Sequence, residues 1–177
     1  ALPIFSVPII LFSYFSLYLS HNIPDTVKNL DVNKYLGHWI NIYASPTNYI
    51  FQGYGKCLTA DYTYFNENNI TVLNKQLNIN NELETISGYG YYKNISEPGK
   101  LTVHLDGVPV DSPYWIIKLG EIINNEYQYS IVTTPSGISV WVLARDLDNY
   151  YKYYDEEVKI FLENYNFKYI TISQDEC

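Results

Sequence analysis

Residues 57–65 alternate: Leu58, Ala60, Tyr62 and Tyr64 fall on one face, and Thr59, Asp61, Thr63 and Phe65 on the other. A period of two is that of a strand. The turn cluster Asn66–Asn69 and the run Ile70–Gln76 extend this strand into a hairpin. Further strand-like runs follow at Leu83–Tyr92, Leu101–Leu105, Tyr114–Leu119, Tyr127–Thr133 and Ser139–Ala144, and one precedes at Tyr35–Ala44. Turn residues such as Glu97-Pro98-Gly99-Lys100 separate them. Gly88 and Gly90 predict strong curvature, and Gly37 a bend or a close backbone approach. Many short strands at regular spacing predict an up-and-down barrel or a sandwich.

One segment breaks the period. Tyr150, Tyr154, Val158, Phe161, Leu162 and Tyr165 recur at helical spacing, and Asp155-Glu156-Glu157 interrupts any strand. A helix over 149–164 is predicted, capped by Asp148 or Asn149, with a last short strand at Tyr169–Ser173. The fold class is all-β with one helix.

The first twenty residues, Ala1–Ser20, carry no charge. That length can span a bilayer, but Pro3 and Pro8 break its first half. A signal-peptide remnant would show a basic n-region, and none precedes it. The third reading, an ordered arm covering an apolar surface of its own barrel or of a partner, is preferred. The chain is thereby divided into an apolar arm at 1–22 and a barrel domain at 23–177. The arm is expected to support a homo-oligomer, and a truncation starting near His21 with unchanged oligomeric state would refute this.

A chain of 177 residues fits one domain with a substantial core. Its net charge of −8 and pI near 4.7 oppose nucleic-acid binding and disfavour anionic membranes. Twenty tyrosines supply rings that are apolar in body and polar at the tip, suited to sheet faces and cavity walls. The excess of Asn, Tyr and Ile reads as the drift of an AT-rich genome, such as a protozoan parasite's, and the absence of Met as a sign of processing or truncation. Cys57 and Cys177 form one disulfide or stand as two separate thiols. The sequons at Asn69 and Asn94 carry little weight in so Asn-rich a chain.

Two blocks resemble the lipocalin family. Leu30-Asp31-Val32-Asn33-Lys34-Tyr35-Leu36-Gly37-His38-Trp39 matches its first block, centred on Gly-x-Trp, and Val140-Trp141-Val142-Leu143-Ala144-Arg145 matches the block before its helix. Cys57–Tyr62, Ile70–Asn74, Glu97–Leu101 and Pro113–Ile116 resemble the apolipoprotein D and bacterial-lipocalin branch. The resemblance implies an eight-stranded antiparallel up-and-down barrel with a C-terminal α-helix. It implies that Gly37, Trp39 and Arg145 close the barrel base, the guanidinium lying over the indole. It also pairs Cys57 with Cys177. Two departures stand out. The third block, Thr-Asp-Tyr, is absent around Leu119-Gly120-Glu121, with a slightly extended base loop at Ile122–Glu126. The branch's second disulfide has no cysteines here, its positions falling near Asn22 and Ile131.

The implied function is that of a carrier of a small hydrophobic ligand: a lipid, fatty acid, sterol, retinoid or tetrapyrrole. The ligand-lining candidates are Tyr43, Tyr62, Tyr91, Val103, Trp115, Tyr129 and Trp141, with Trp141 favoured by the resemblance. For each, the alternative is a filled core or the outer seam against the helix. Tyrosine-rich walls favour a ligand with a polar end. Two further readings remain open: an isomerase using a free Cys57, and an interaction protein whose cavity is incidental. No Ser/His/Asp set, phosphate loop or paired-carboxylate constellation is present, and His21, His38 and His104 lack metal-ligand spacing. No cofactor is expected; haem on His104 is a remote reading that a titration without a Soret band would end. The loop Ser45–Lys56, with Tyr49, Ile50, Phe51 and Tyr54, is read as a lid or a tip making weak membrane contact. The implied compartment is extracellular, or a lumenal or vacuolar part of the secretory pathway.

Overall fold

The computed structural model describes residues 23–47, 55–66 and 69–177. The apolar arm at 1–22 and the centre of the 45–56 loop lie outside them. A helical turn α1 (Val32–Tyr35) leads into β1 (Gly37–Ala44), followed by β2 (Lys56–Asn66), β3 (Asn69–Leu77), β4 (Leu83–Tyr92), β5 (Lys100–Leu105) and β6 (Ser112–Leu119). A small ribbon β7 (Ile122–Ile123) and β8 (Glu126–Tyr127) precedes β9 (Tyr129–Thr133) and β10 (Val140–Ala144). Two helical segments, α2 (Leu147–Tyr153) and α3 (Asp155–Asn164), and a short β11 (Ile170–Thr171) complete the chain.

Each of β1–β6, β9 and β10 pairs antiparallel with its neighbour, and β10 returns to β1, closing an eight-stranded barrel. Closure removes the sheet edges. β11 lies beside Tyr43 and Ala44 at the upper part of β1, beyond the Gly37–Ile40 stretch that pairs with β2. Gly88 is required by close packing: a Cβ there would lie 2.0 Å from the His104 carbonyl oxygen.

Three local features differ from the sequence-based expectation. Residues 32–35 form a helical turn rather than the start of a strand, because the Asp31 side chain accepts from the Asn33 amide and caps them. The helix begins at Leu147, since Asp146 caps it by accepting from the Asn149 amide, and it is interrupted at Tyr154. The base loop folds into the β7–β8 ribbon through Asn124 and Asn125, both in the left-handed region at φ 51° and 66°, as a two-residue hairpin of primed type requires.

Alternation sorts the strand residues into two cores. One lies inside the barrel and includes Trp39, Tyr62, Val72, Leu101, Ile116, Val132 and Leu143. The other joins the outer faces of β1, β6, β9 and β10 to Tyr150, Tyr154, Val158 and Leu162 of the helices. A bulge in β1 shifts the phase: Asn41 pairs with Leu143 and Tyr43 with Val142, so Ile42 and Tyr43 both turn to the helices.

Candidate functional site

The closed end is built on Arg145. Its guanidinium lies 3.7 Å from the Trp39 ring centroid. It donates to the carbonyls of His38 and Leu36 at 2.7 Å each, and to those of Lys34, Tyr35 and Tyr127 at 3.1–3.2 Å. All but that of Tyr127 belong to the end of α1 and its exit, so one cation satisfies acceptors that a buried helix end would otherwise leave open. Gly37, at φ +100°, has a backbone few other residues adopt, and a Cβ there would sit 3.1 Å from Arg145 Nη1. Trp39 is fully buried and donates its indole N–H to the Tyr35 carbonyl at 2.8 Å. Burial pushes the Arg145 pKa down.

Above this plug lies a floor of hydroxyls. Tyr35 and Tyr114 share a hydrogen bond of 2.7 Å, Tyr35 and Ser130 one of 2.9 Å, and Tyr62 and Tyr114 one of 3.2 Å. The Tyr35 and Tyr62 rings stack at 5.9 Å. Burial raises all three phenols, Tyr62 to about 12 and Tyr35 and Tyr114 further. They remain neutral at physiological pH, so the floor is polar without being charged.

Val103 and Trp141 face inward yet keep accessible surface, as does Tyr114 of the floor, while Trp39 and Ile116, nearer the closed end, have none. A small side chain widens the upper half: Ala44 pairs with the inward Trp141. Asn41 shares the inward face with Leu143, is 7% exposed, and among the described residues its Oδ1 has no hydrogen-bond partner.

Of the seven sequence-derived lining candidates, Tyr62, Val103 and Trp141 come together inside the barrel. The other four lie elsewhere. Tyr43 joins the outer seam through the β1 bulge, and its hydroxyl donates to Asp155 at 2.5 Å. Tyr129, which pairs with the outward Ala144, donates to Glu157 at 2.6 Å. It also borders an open hollow of about 370 Å³ outside the barrel, with Tyr154, Glu121 and Lys118. Tyr91 pairs with Thr102, out of phase with the inward Leu101 and Val103, and donates to Asp111 at 2.8 Å. Trp115 alternates with the inward Tyr114 and Ile116 and carries Lys100 over its ring at 4.9 Å. A strand's two faces are one residue apart, so a choice of aromatic without a fixed phase lands on either. Tyr35, Asn41, Tyr114 and Ser130 were not among the candidates. The parity of Asn41 with Trp39 two residues away was a usable signal, whereas Ser130 has no signature in sequence.

Cys57 and Cys177 are joined in a disulfide, with Cα atoms 5.6 Å apart at a sequence separation of 120. The Cys57 thiol is thereby occupied. His104 is turned outward, stacked 4.9 Å from the Tyr89 ring with Nδ1 2.8 Å from Asp111. Among the described residues no cluster of His, Cys, Asp or Glu has metal-binding geometry.

Residues 30–165 match the family model of the lipocalin-like domain. Apolipoprotein D of Mus musculus is 36% identical over 126 residues, covering 70% of this chain and 65% of that protein. The chain spans less than two-thirds of the apolipoprotein D sequences it matches first, 48% in Rattus norvegicus. Among solved structures, lobster apocrustacyanin A1 superposes with a TM-score of 0.59 at 16% identity, over 87% of this chain and 91% of that one. Japanin from Rhipicephalus appendiculatus, determined bound to cholesterol, superposes with a TM-score of 0.57 at 13% identity, over 84% and 99%. None of these is a protozoan protein, so they lend no support to a protozoan source.

Proposed function

The chain belongs to the lipocalin-like family, and from that premise we propose that it carries one small apolar ligand in the upper half of its barrel. The observation that carries this reading is the contrast along the barrel axis. The lower half is sealed by Arg145, Trp39 and the hydroxyl floor, while Val103 and Trp141 above it keep accessible surface. A concave apolar space with a few polar groups at one end is the usual form of a small-molecule site. Fatty acids, sterols, retinoids and tetrapyrroles are the candidate classes. The likeness to Japanin, a protein seen with cholesterol, fits the sterol class. The test is titration with the neutral fluorophore N-phenyl-1-naphthylamine. One probe per chain, displaced by apolar competitors and lost in Val103→Trp, is expected; no saturable binding to the folded wild type would refute the proposal.

The disulfide supports an oxidising compartment, hence a secreted or lumenal protein. Exposed Ile79, Leu83, Val110 and Ile138 lie at loop tips or strand ends around the open end, which supports brief, weak contact with an apolar surface during loading. Flotation with neutral phosphatidylcholine vesicles, reduced in Val110→Asp, is the expected result, and no flotation of the wild type would refute that contact. The bridge leaves Cys57 no free thiol to act as an isomerase nucleophile.

A further inference from the structure

Ten of the eleven cations of this chain keep clear of the barrel interior, and the eleventh, Arg145, lies beneath the floor with its N–H groups donated to backbone carbonyls. All basic residues number eleven. Lys28, Lys34, Lys56, Lys75, Lys100 and Lys159 are in ion pairs with carboxylates. Lys118 lies over Phe161, Lys152 over Tyr153 and Arg145 over Trp39. Lys93 and Lys168 are exposed in loops. At the open end of β4, Glu84 is held below the usual carboxylate range by hydrogen bonds from Gln76 and Asn78, so the charge there is negative.

The polar groups inside are neutral. Those at and beside the floor are the hydroxyls of Tyr35, Tyr62, Tyr114 and Ser130 and the carboxamide of Asn41. Asn41 stands apart from the rest. It is more than nine-tenths buried on the inward face, next to Leu143, which pairs in turn with Ser130. Among the described residues its Oδ1 accepts nothing. Buried acceptors are nearly always paired, and an unpaired one at the end of a ligand space calls for a donor from outside the chain.

We infer that the barrel selects neutral apolar ligands bearing a hydroxyl, bound with that group down against Asn41 and the tyrosine floor, over ligands of the same shape bearing a carboxylate. This rests on the carrier reading above and specifies its ligand class. An alcohol donates to Asn41 Oδ1 and accepts from a tyrosine hydroxyl, satisfying both without burying charge. A carboxylate cannot donate to Oδ1, and it would enter a low-dielectric space whose one nearby cation, Arg145, already spends its donors on backbone carbonyls.

The test uses all-trans-retinol and all-trans-retinoate, which share one polyene and differ at the end group. The intact disulfide-bonded chain is titrated with each, following tryptophan quenching and retinol fluorescence. Retinol is expected to bind at least tenfold more tightly at pH 7.5. Retinoate binding is expected to strengthen as the pH falls toward 5 and the ligand carboxyl takes up its proton, while retinol binding stays flat. Asn41→Leu, close in shape, is expected to leave thermal stability unchanged or raised, to weaken retinol by about tenfold and to leave retinoate unaffected. Equal or tighter retinoate binding, or a pH-independent retinoate affinity, overturns the inference. A retinol preference unchanged in Asn41→Leu overturns the role of Asn41. The pH series needs no variant, so it stands even if Asn41→Leu fails to fold. Should N-phenyl-1-naphthylamine also fail to bind, the carrier reading itself fails; naphthylamine binding without retinol preference removes only the selectivity.

Discussion

Two groups of tyrosines divide the molecule. Inside the barrel, Tyr35, Tyr62 and Tyr114 bond to one another and to Ser130, neutral group to neutral group. On the outer seam, Tyr43, Tyr129 and Tyr154 each donate to a carboxylate, on Asp155, Glu157 and Glu121. The same side chain thus does two jobs. At the seam it fastens a helix to a barrel wall, and charge is tolerated because water is near. Inside, it makes a polar floor from which charge is kept out. The lesson is that tyrosine content alone does not indicate a ligand site; the partner of each hydroxyl does.

The contrast can be broken from either side. The largest expected effect is on the seam side, where the Cys57–Cys177 bridge ties the tail beside β1 and closes a loop of 120 residues. Loop entropy gives an upper figure of roughly 4–5 kcal/mol for its loss. Chemical denaturation of the Cys57→Ser/Cys177→Ser protein should show most of that loss, with the interior tyrosines still protected from ionisation while the chain is folded.

Next comes the interior plug. Arg145→Ala strands the carbonyls of Leu36 and His38 and bares the Trp39 face, and should cost about 3–4 kcal/mol. Its distinguishing readout is a red-shifted Trp emission as the closed end admits water. A change at Tyr129 should leave that emission alone.

Alkaline titration separates the groups without a mutation. Tyr62 has its pKa raised by burial to about 12, against roughly 10 in an unfolded chain. A raised folded pKa means that the stabilisation is complete below pH 10 and is lost as pH climbs toward 12, by roughly 2–3 kcal/mol for this group. Tyr35 and Tyr114 are shifted the same way. Absorbance at 295 nm should therefore show the exposed tyrosines ionising first and a late step coinciding with loss of the near-UV circular dichroism. Smooth ionisation of every tyrosine near pH 10 in a folded chain would contradict the sealed floor.

The smallest effect is expected from Tyr129→Phe, which removes one hydrogen bond to Glu157 at a seam that water reaches; a loss of about 1 kcal/mol by denaturant midpoint, with ligand affinity unchanged, is expected. A loss of ligand affinity there would place function on the seam.

Much of the architecture was legible because it is written in local periodicity. The alternation of Leu58–Phe65 and the helical spacing from Tyr150 to Tyr165 correspond to β2 and to α2–α3. The closed end was legible by resemblance, through Gly37, Trp39 and Arg145. The site was legible only in part, because it depends on strand phase. In β1 the pattern Trp39, Asn41, Tyr43 puts all three on one face, and a single bulge turns Tyr43 away from the ligand space. Bulges follow from packing between strands far apart in sequence, which periodicity does not record. The Asn124-Asn125 turn shows the converse: a strong local turn signal, overlooked because the segment lacks the family's third block.

The most direct test of a sealed floor beneath an open ligand space is native mass spectrometry of the disulfide-bonded chain incubated with a neutral-lipid extract, beside Val103→Trp. The expected result is one small apolar adduct per wild-type chain, carrying a hydroxyl on fragmentation, and none on the variant. An adduct retained equally by Val103→Trp, or no adduct on the folded wild type, would contradict it.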